Sequence, residues 1–174
     1  MSDVIESETK RFSPKQKYVR ALFAGGSFAD EASVIFSRFF DRVHMYPSNG
    51  NRLSLDHPLI SKEHCIVDLG EDYFTKGKLH PMIDPTPRIS RIVKEVEDKE
   101  VRVILMDVVL GYGAHPDPGG ALVEVILDAK RKFEELGGYL SVIVSLCGTE
   151  EDPQNYSEQK AKLERSGAVV TDSS

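Results

Sequence analysis

Tryptophan is absent from this 174-residue sequence, and cysteine occurs only at Cys65 and Cys147. Neither cysteine has the Cys-x-x-Cys spacing of a zinc ribbon or a dithiol redox centre. Each lies in or at the end of an apolar run, so both read as buried free thiols of a reducing compartment. No apolar stretch approaches the ~20 residues that a membrane helix needs. The amino-terminal stretch, with Asp3, Glu6 and Glu8, has no apolar core and so is not a secretory leader. A cytoplasmic protein is expected, with no membrane partner. A clustered basic stripe is also missing, and the formal net charge is −6. That balance argues against nucleic acid as a partner, since nonspecific binding needs a basic face. Internal repeats are absent too.

What remains is an alternation of two periods. Residues 1–17 are polar and aperiodic, and are expected to form a flexible tail or linker ahead of one domain at 18–174. Tyr18–Phe23 reads as a strand ended by Ala24-Gly25-Gly26. A helix should follow, capped by Ser27 or Asp30, with Ala32, Ile35, Phe36, Phe39 and Phe40 at helical spacing. Val43–Tyr46 reads as a short strand and residues 47–64 as a long loop, whose His57 and flanking His44 and His64 are taken as surface residues. Cys65–Leu69 is a further strand. Pro85 and Pro87 suit a helix start, and Ile89, Ile92, Val93 and Val96 supply its stripe. The strongest strand signal is Val101–Leu110, nearly continuous apolar sequence of the kind buried on both faces. A helix over about 120–136, a strand over 139–146, a helix over about 156–166 and a short strand at 168–170 complete the order. Strands alternating with helices imply right-handed crossovers, an α/β fold and a mostly parallel sheet. Ligands of such sheets lie outside the carboxyl ends of the strands, so the exit loops are where chemistry is expected.

Four exit segments carry suitable residues. Gly25, Gly26 and Ser27 join a strand to a helix, where backbone N–H groups and the helix dipole favour an anion. They match neither G-x-G-x-x-G nor a Walker A loop, and an ordinary turn is the competing reading. The loop Gly111-Tyr-Gly-Ala-His115-Pro-Asp117-Pro118 ends the central strand. Gly111 and Gly113 permit unusual backbone angles. His115, before proline, is biased to extended backbone and can aim an imidazole at a ligand. His115 is a candidate base or nucleophile with Asp117 beside it; alternatively Asp117 caps the next helix. Asp68, Gly70 and the segment His80–Asp84 flank one connection and could converge on a single site for proton relay. His80 is the second catalytic candidate, Asp68, Gly70 and Asp84 are binding candidates, and Asp84 could equally be a helix cap. Gly148 and Thr149 lie in the exit loop of the last long strand. Cys147 precedes three carboxylates, which disfavour a thiolate, and reads as structural. No His-x-x-x-His or His-Glu-x-x-His pattern occurs, so no metal is assigned.

Ala21–Ala32, Asp68-Leu-Gly70-Glu-Asp72-Tyr-Phe-Thr-Lys-Gly77, His80–Pro85, Asp107–Pro118 and Cys147–Gln154 together resemble FdrA-type proteins of the succinyl-CoA synthetase (acyl-CoA ligase) superfamily. The resemblance covers about residues 17–172. It implies a flavodoxin-like, three-layer CoA-ligase domain that works with partner subunits. A CoA-binding-like subunit would be one of these, with CoA or a nucleotide supplied through that partner. The superfamily's ligases relay phosphate through a histidine in a loop after a late strand. Here the matching loop, Cys147–Asn155, contains none, and no histidine follows His115. Some FdrA-type proteins are linked to carbamoyl transfer, which needs no phosphohistidine. The resemblance therefore implies acyl-CoA ligase-type or carbamoyl-group transfer. The alternative is a noncatalytic subunit that keeps an anion-binding pocket. A short terminal strand at an exposed sheet edge also makes a homo-oligomer an expectation.

Overall fold

The apolar run from Val101 becomes the longest strand of a parallel sheet in a computed structural model that describes residues 2–48 and 53–172. In chain order the elements are α1 (Ser2–Thr9), β1 (Tyr18–Phe23), α2 (Gly26–Phe36), β2 (Val43–Tyr46), β3 (Leu53–Ser54) and β4 (His64–Asp68). There follow α3 (Asp72–Thr75), α4 (Thr86–Glu95), β5 (Val101–Val109), α5 (Gly120–Glu135), β6 (Ser141–Cys147), α6 (Tyr156–Arg165) and β7 (Val169–Asp172). Among the described residues seven strands make one sheet, in the order β3-β2-β4-β1-β5-β6-β7. All neighbours are parallel. Counting β1, β4, β5, β6 and β7 as the core gives the flavodoxin-like order 2-1-3-4-5, with β2 and β3 added at one edge. The β1–β5 boundary is then the topological switch point.

Two packed layers follow from the strand alternation. Leu22, Val67, Ile104, Met106, Val142 and Val144 face α4, α5 and α6, whose Ile92, Leu122, Ile126, Phe133 and Leu163 complete the larger cluster. Each such aliphatic or aromatic side chain contributes about 1.5–3 kcal/mol by leaving water. The opposite face holds Ala21, Phe23 and Ile66 beneath Ala29, Ala32 and Phe36 of α2. This second layer is incomplete. Val103, Leu105 and Val109 of β5, Ile143, Ser145 and Cys147 of β6, and Val169 and Thr171 of β7 share the α2 face by register. All are only partly buried, although parallel sheets are normally covered on both sides.

Several local expectations need correction. Residues 1–17 are not a free tail among the described positions. Helix α1 is tied down through Glu8, whose two carboxylate oxygens each accept from the Tyr139 hydroxyl at 3.0 Å. The Arg11 guanidinium lies 3.6 Å over the Tyr139 ring, and Phe12 packs beside it. Gln16 is buried, donating to Val101 O and Tyr139 O at 2.7 Å each. These partners are remote in sequence, so periodicity carried no sign of them. Helix α2 is entered at Gly25 without a side-chain cap, in place of Ser27 or Asp30. Its buried face is Ala29, Ala32, Ser33 and Phe36, so Ile35 within it is exposed, and Phe39 beyond its end is exposed too, instead of lying in the stripe. His44 is buried, with Nε2 3.1 Å from Glu63 Oε2. His64 is half-buried, its ring stacked 3.8 Å from that of Phe40; of the three early histidines only His57 is a surface residue. Cys65 is buried, whereas Cys147 is partly exposed. Residues 49–52 of the expected loop lie outside the described residues. No helix among the described residues is long and apolar enough to cross a membrane.

Candidate functional site

Strands β4, β1 and β5 end in one row, because Phe23 pairs Asp68 and Leu22 pairs Met106. That register sets Asp68 and Asp107 on either side of Phe23, at the carboxyl edge beside the switch point. Both carboxylates are buried. Asp68 Oδ1 accepts the Gly70 N–H at 2.8 Å. Burial pushes the Asp68 carboxyl above its usual range. The Gly70 hydrogen bond opposes that shift, while the charges of Glu71 and Asp107 reinforce it.

The glycines here are required by close approach, not by backbone angle. A Cβ on Gly70 would stand 2.7 Å from Ala24 O, 2.8 Å from His80 Nε2 and 3.1 Å from Asp68 Oδ1. A Cβ on Gly26 would stand 3.1 Å from Asp68 Oδ2, whereas one on Gly25 would meet nothing within 4 Å. The β1 exit, the β4 exit and the His80 imidazole therefore meet around Gly70. His80 Nδ1 accepts the Met82 N–H at 3.2 Å, which leaves the proton of the neutral ring on Nε2, the nitrogen beside Gly70 and Asp68. Ser27 is exposed in the first turn of α2.

The Gly111–Pro118 loop joins this cluster through its backbone. The His115 N–H donates to Met82 O at 2.8 Å. A cavity of about 20 Å³, large enough for one water-sized molecule, lies between Ala24, Met82, Arg88 and His115. His115 Nδ1 accepts the Asp117 N–H at 3.0 Å, so this ring too presents Nε2–H when neutral. Gly111 and Gly113 have φ of +131° and +84°, a region that side chains disfavour. Asp117 is engaged elsewhere. It accepts from Gly120 N at 3.1 Å, at the start of α5, and from Lys162 Nζ at 3.0 Å. Partial burial works to raise its pKa, but the hydrogen bonds from Lys162, Gln159 and Gly120 outweigh it and hold the carboxyl below its usual value. Asp84 accepts from the Thr86 N–H and hydroxyl at 3.0 and 2.6 Å, one residue ahead of the α4 N-cap Pro85, and is held below the usual carboxylate range by those bonds.

Gly148 and Thr149 stand at the next strand exit, apart from the Asp68–His80 cluster. A Cβ on Gly148 would overlap Leu110, and the Thr149 N–H donates to Asp152 Oδ2 at 2.7 Å. They border a separate groove with Glu150, Ser157 and Lys160.

Two groups in this region escaped the sequence reading. Arg88 is buried at the start of α4, its Nη2 2.5 Å from Asp107 Oδ1 and its Nη1 donating to Asp107 O. Asp107 Oδ1 also accepts the Ala24 N–H at 2.9 Å, so one ion pair ties α4 to the β1 and β5 exits. Among the described residues, Arg88 Nε and Asp107 Oδ2 remain without a partner. The second is Gln154, also buried. Its Oε1 accepts the Gly111 N–H at 3.0 Å, and its Nε2 donates to Gly111 O at 2.9 Å and His115 O at 3.2 Å. An Asp near the end of an apolar strand, preceded by a helix with Arg in its first turn, was the available signal for the first. Gln154 gave none. No group of three or more metal-ligating side chains occurs among the described residues.

The arrangement gathers glycine-lined backbone, the His80 Nε2–H and a carboxyl with raised proton affinity around Gly70, and sets the His115 loop beside them through Met82. Comparison with known proteins agrees with the fold. The CoA-ligase family model matches residues 22–174. The uncharacterized protein YahF of Escherichia coli (strain K12) is 39% identical over 164 residues, which is 94% of this chain and 32% of that protein. The chain thus spans about a third of the length of this relative. Matched over most of its length and built on an all-parallel sheet, the chain belongs to the CoA-ligase family.

Proposed function

We propose that this chain is an FdrA-type CoA-ligase domain or small subunit that contributes to acyl-CoA ligase-type or carbamoyl-group transfer in the cytoplasm together with partner subunits. The observation that carries the reading is the meeting of Gly26, Asp68, Gly70 and His80 at the β1 and β4 exits beside the switch point, joined to the His115 loop through Met82. Gly25, Gly26, Ser27, Gly111 and Gly113 would hold the anionic part of the group. Nε2–H of His80 or His115 would polarise the transferred carbonyl or protonate the leaving group, with Asp68 taking up or returning a proton. CoA or a nucleotide would come through a CoA-binding-like partner. The partly covered face of β5, β6 and β7 supports association with another polypeptide, since it leaves apolar side chains of a parallel sheet in contact with water. A homo-oligomer is the other way of covering it.

Purified with candidate partners, the chain is expected to give turnover that depends on these histidines. Full activity of a His80→Ala, His115→Ala double variant would overturn the reading. One observation favours a second one, a noncatalytic subunit with an anion pocket: the loop after β6 has no histidine to carry phosphate. Incubation with labelled ATP or acyl phosphate separates the two. Acid-labile phosphate on His115 would contradict the noncatalytic reading.

A further inference from the structure

Beyond the carboxyl-edge cluster, the β3–β4 loop, the β4–α4 connection and α4 line a groove of about 570 Å³. That volume lies within the range of small-molecule sites. Its apolar part is formed by Leu59, Tyr73, Phe74 and Pro87, and its polar part includes Lys78, Ser90 and Lys94. The Tyr73 ring is held edge-to-face by Phe74 at 5.2 Å, Tyr46 at 6.0 Å and His57 at 6.0 Å. Yet Tyr73 stays 48% exposed. A ring fixed by its neighbours and left open to water is a ready stacking surface.

The charges are lopsided. Arg91, at the base, is already used by Glu95, Ser61 and Pro58. The one carboxylate in the lining, Asp84, is committed to Thr86. Lys78 has no carboxylate partner among the described residues. Among the described residues Lys94 pairs only with Glu97, on the surface, where an ion pair contributes little and is readily exchanged.

We infer that this groove is a binding site for a planar aromatic or heteroaromatic molecule bearing a carboxylate or phosphate, the ring stacking on Tyr73 and the anion meeting Lys78 and Lys94. The site is independent of the group-transfer reading, and its test measures binding alone. The 174-residue chain is titrated with adenosine monophosphate, orotate and naphthoate, followed by backbone-amide NMR, with neutral adenosine and inorganic phosphate as controls. Saturable shifts at Tyr73, Lys78 and Ser90 are expected with at least one aromatic anion. Tyr73→Ala and Lys78→Ala, both exposed positions, should each weaken that binding about tenfold, with the rest of the spectrum unchanged. Adenosine and phosphate should bind more weakly than the aromatic anion. Absence of shifts in the groove for all three anions, or affinity unchanged by both substitutions, would overturn the inference.

Discussion

Replacing Gly70 with alanine puts a methyl group where three atoms already stand. The new Cβ would lie 2.7 Å from Ala24 O and 2.8 Å from His80 Nε2, both well inside contact distance. Ala24 O belongs to the backbone at the β1 exit, so it cannot rotate away. Either the two strand exits separate or His80 leaves its place. Forced overpacking of this kind costs about 1–3 kcal/mol. With a urea dependence of about 2 kcal/mol per molar for a domain of this size, the midpoint should fall by roughly 0.5–1.5 M. Gly25→Ala is the internal control, because a Cβ there meets nothing within 4 Å and φ is −134°. Alanine is the poorer residue at a helix entry but restricts the unfolded chain. The two effects nearly cancel, and the midpoint should move by less than about 0.5 M. Amide shifts in Gly70→Ala should centre on Ala24, Asp68 and His80. Equal midpoints for the two variants, with no shift change at Ala24, would refute the convergence of the β1 and β4 exits.

The remaining expectations concern single groups. Asp68 has a raised folded pKa, so its ionisation works against the fold at neutral pH, and this penalty disappears as pH falls through that value. Asp68→Asn keeps an acceptor for Gly70 N–H; it should unfold at higher urea than the parent at pH 7, with the advantage vanishing in acid. Gln154→Leu removes the three bonds that close the Gly111 loop. It should cost about 1–3 kcal/mol and speed hydrogen exchange at Gly111, leaving the β5 core amides protected. Tyr139, pushed up to about 12 by burial and its bond to Glu8, should lend stability that is complete below pH 10 and lost as pH rises through about 12. A difference absorbance titration against Tyr139→Phe reads that value directly.

How far the sequence told the story depended on whether the cause was local. The Val101–Val109 strand announced itself because a central parallel strand is apolar on both sides, and Pro85 and Pro87 marked the entry to α4 through their own backbone. The glycine-rich exits were legible as loops. Their convergence was not, since it arises from the order β4-β1-β5, which only pairing reveals. Helix α1 was missed because what holds it is Tyr139, far along the chain. His44 and His64 were misplaced for a similar reason: Glu63 and Phe40 give these polar rings partners that permit burial. The Arg88–Asp107 pair joins a helix start to a strand end and becomes an ion pair only when the crossover returns α4 over the sheet.

The proposal that the carboxyl-edge loops hold an anionic acyl or carbamoyl group is tested most directly by titrating the protein with acetyl phosphate and carbamoyl phosphate while recording backbone-amide NMR spectra. Saturable shifts at Gly25–Ser27, Asp68–Gly70 and Gly111–His115, weakened by Gly70→Ala, are predicted. Shifts confined to the amino edge near Gln16 and Tyr139, or none at the three loops, would contradict it.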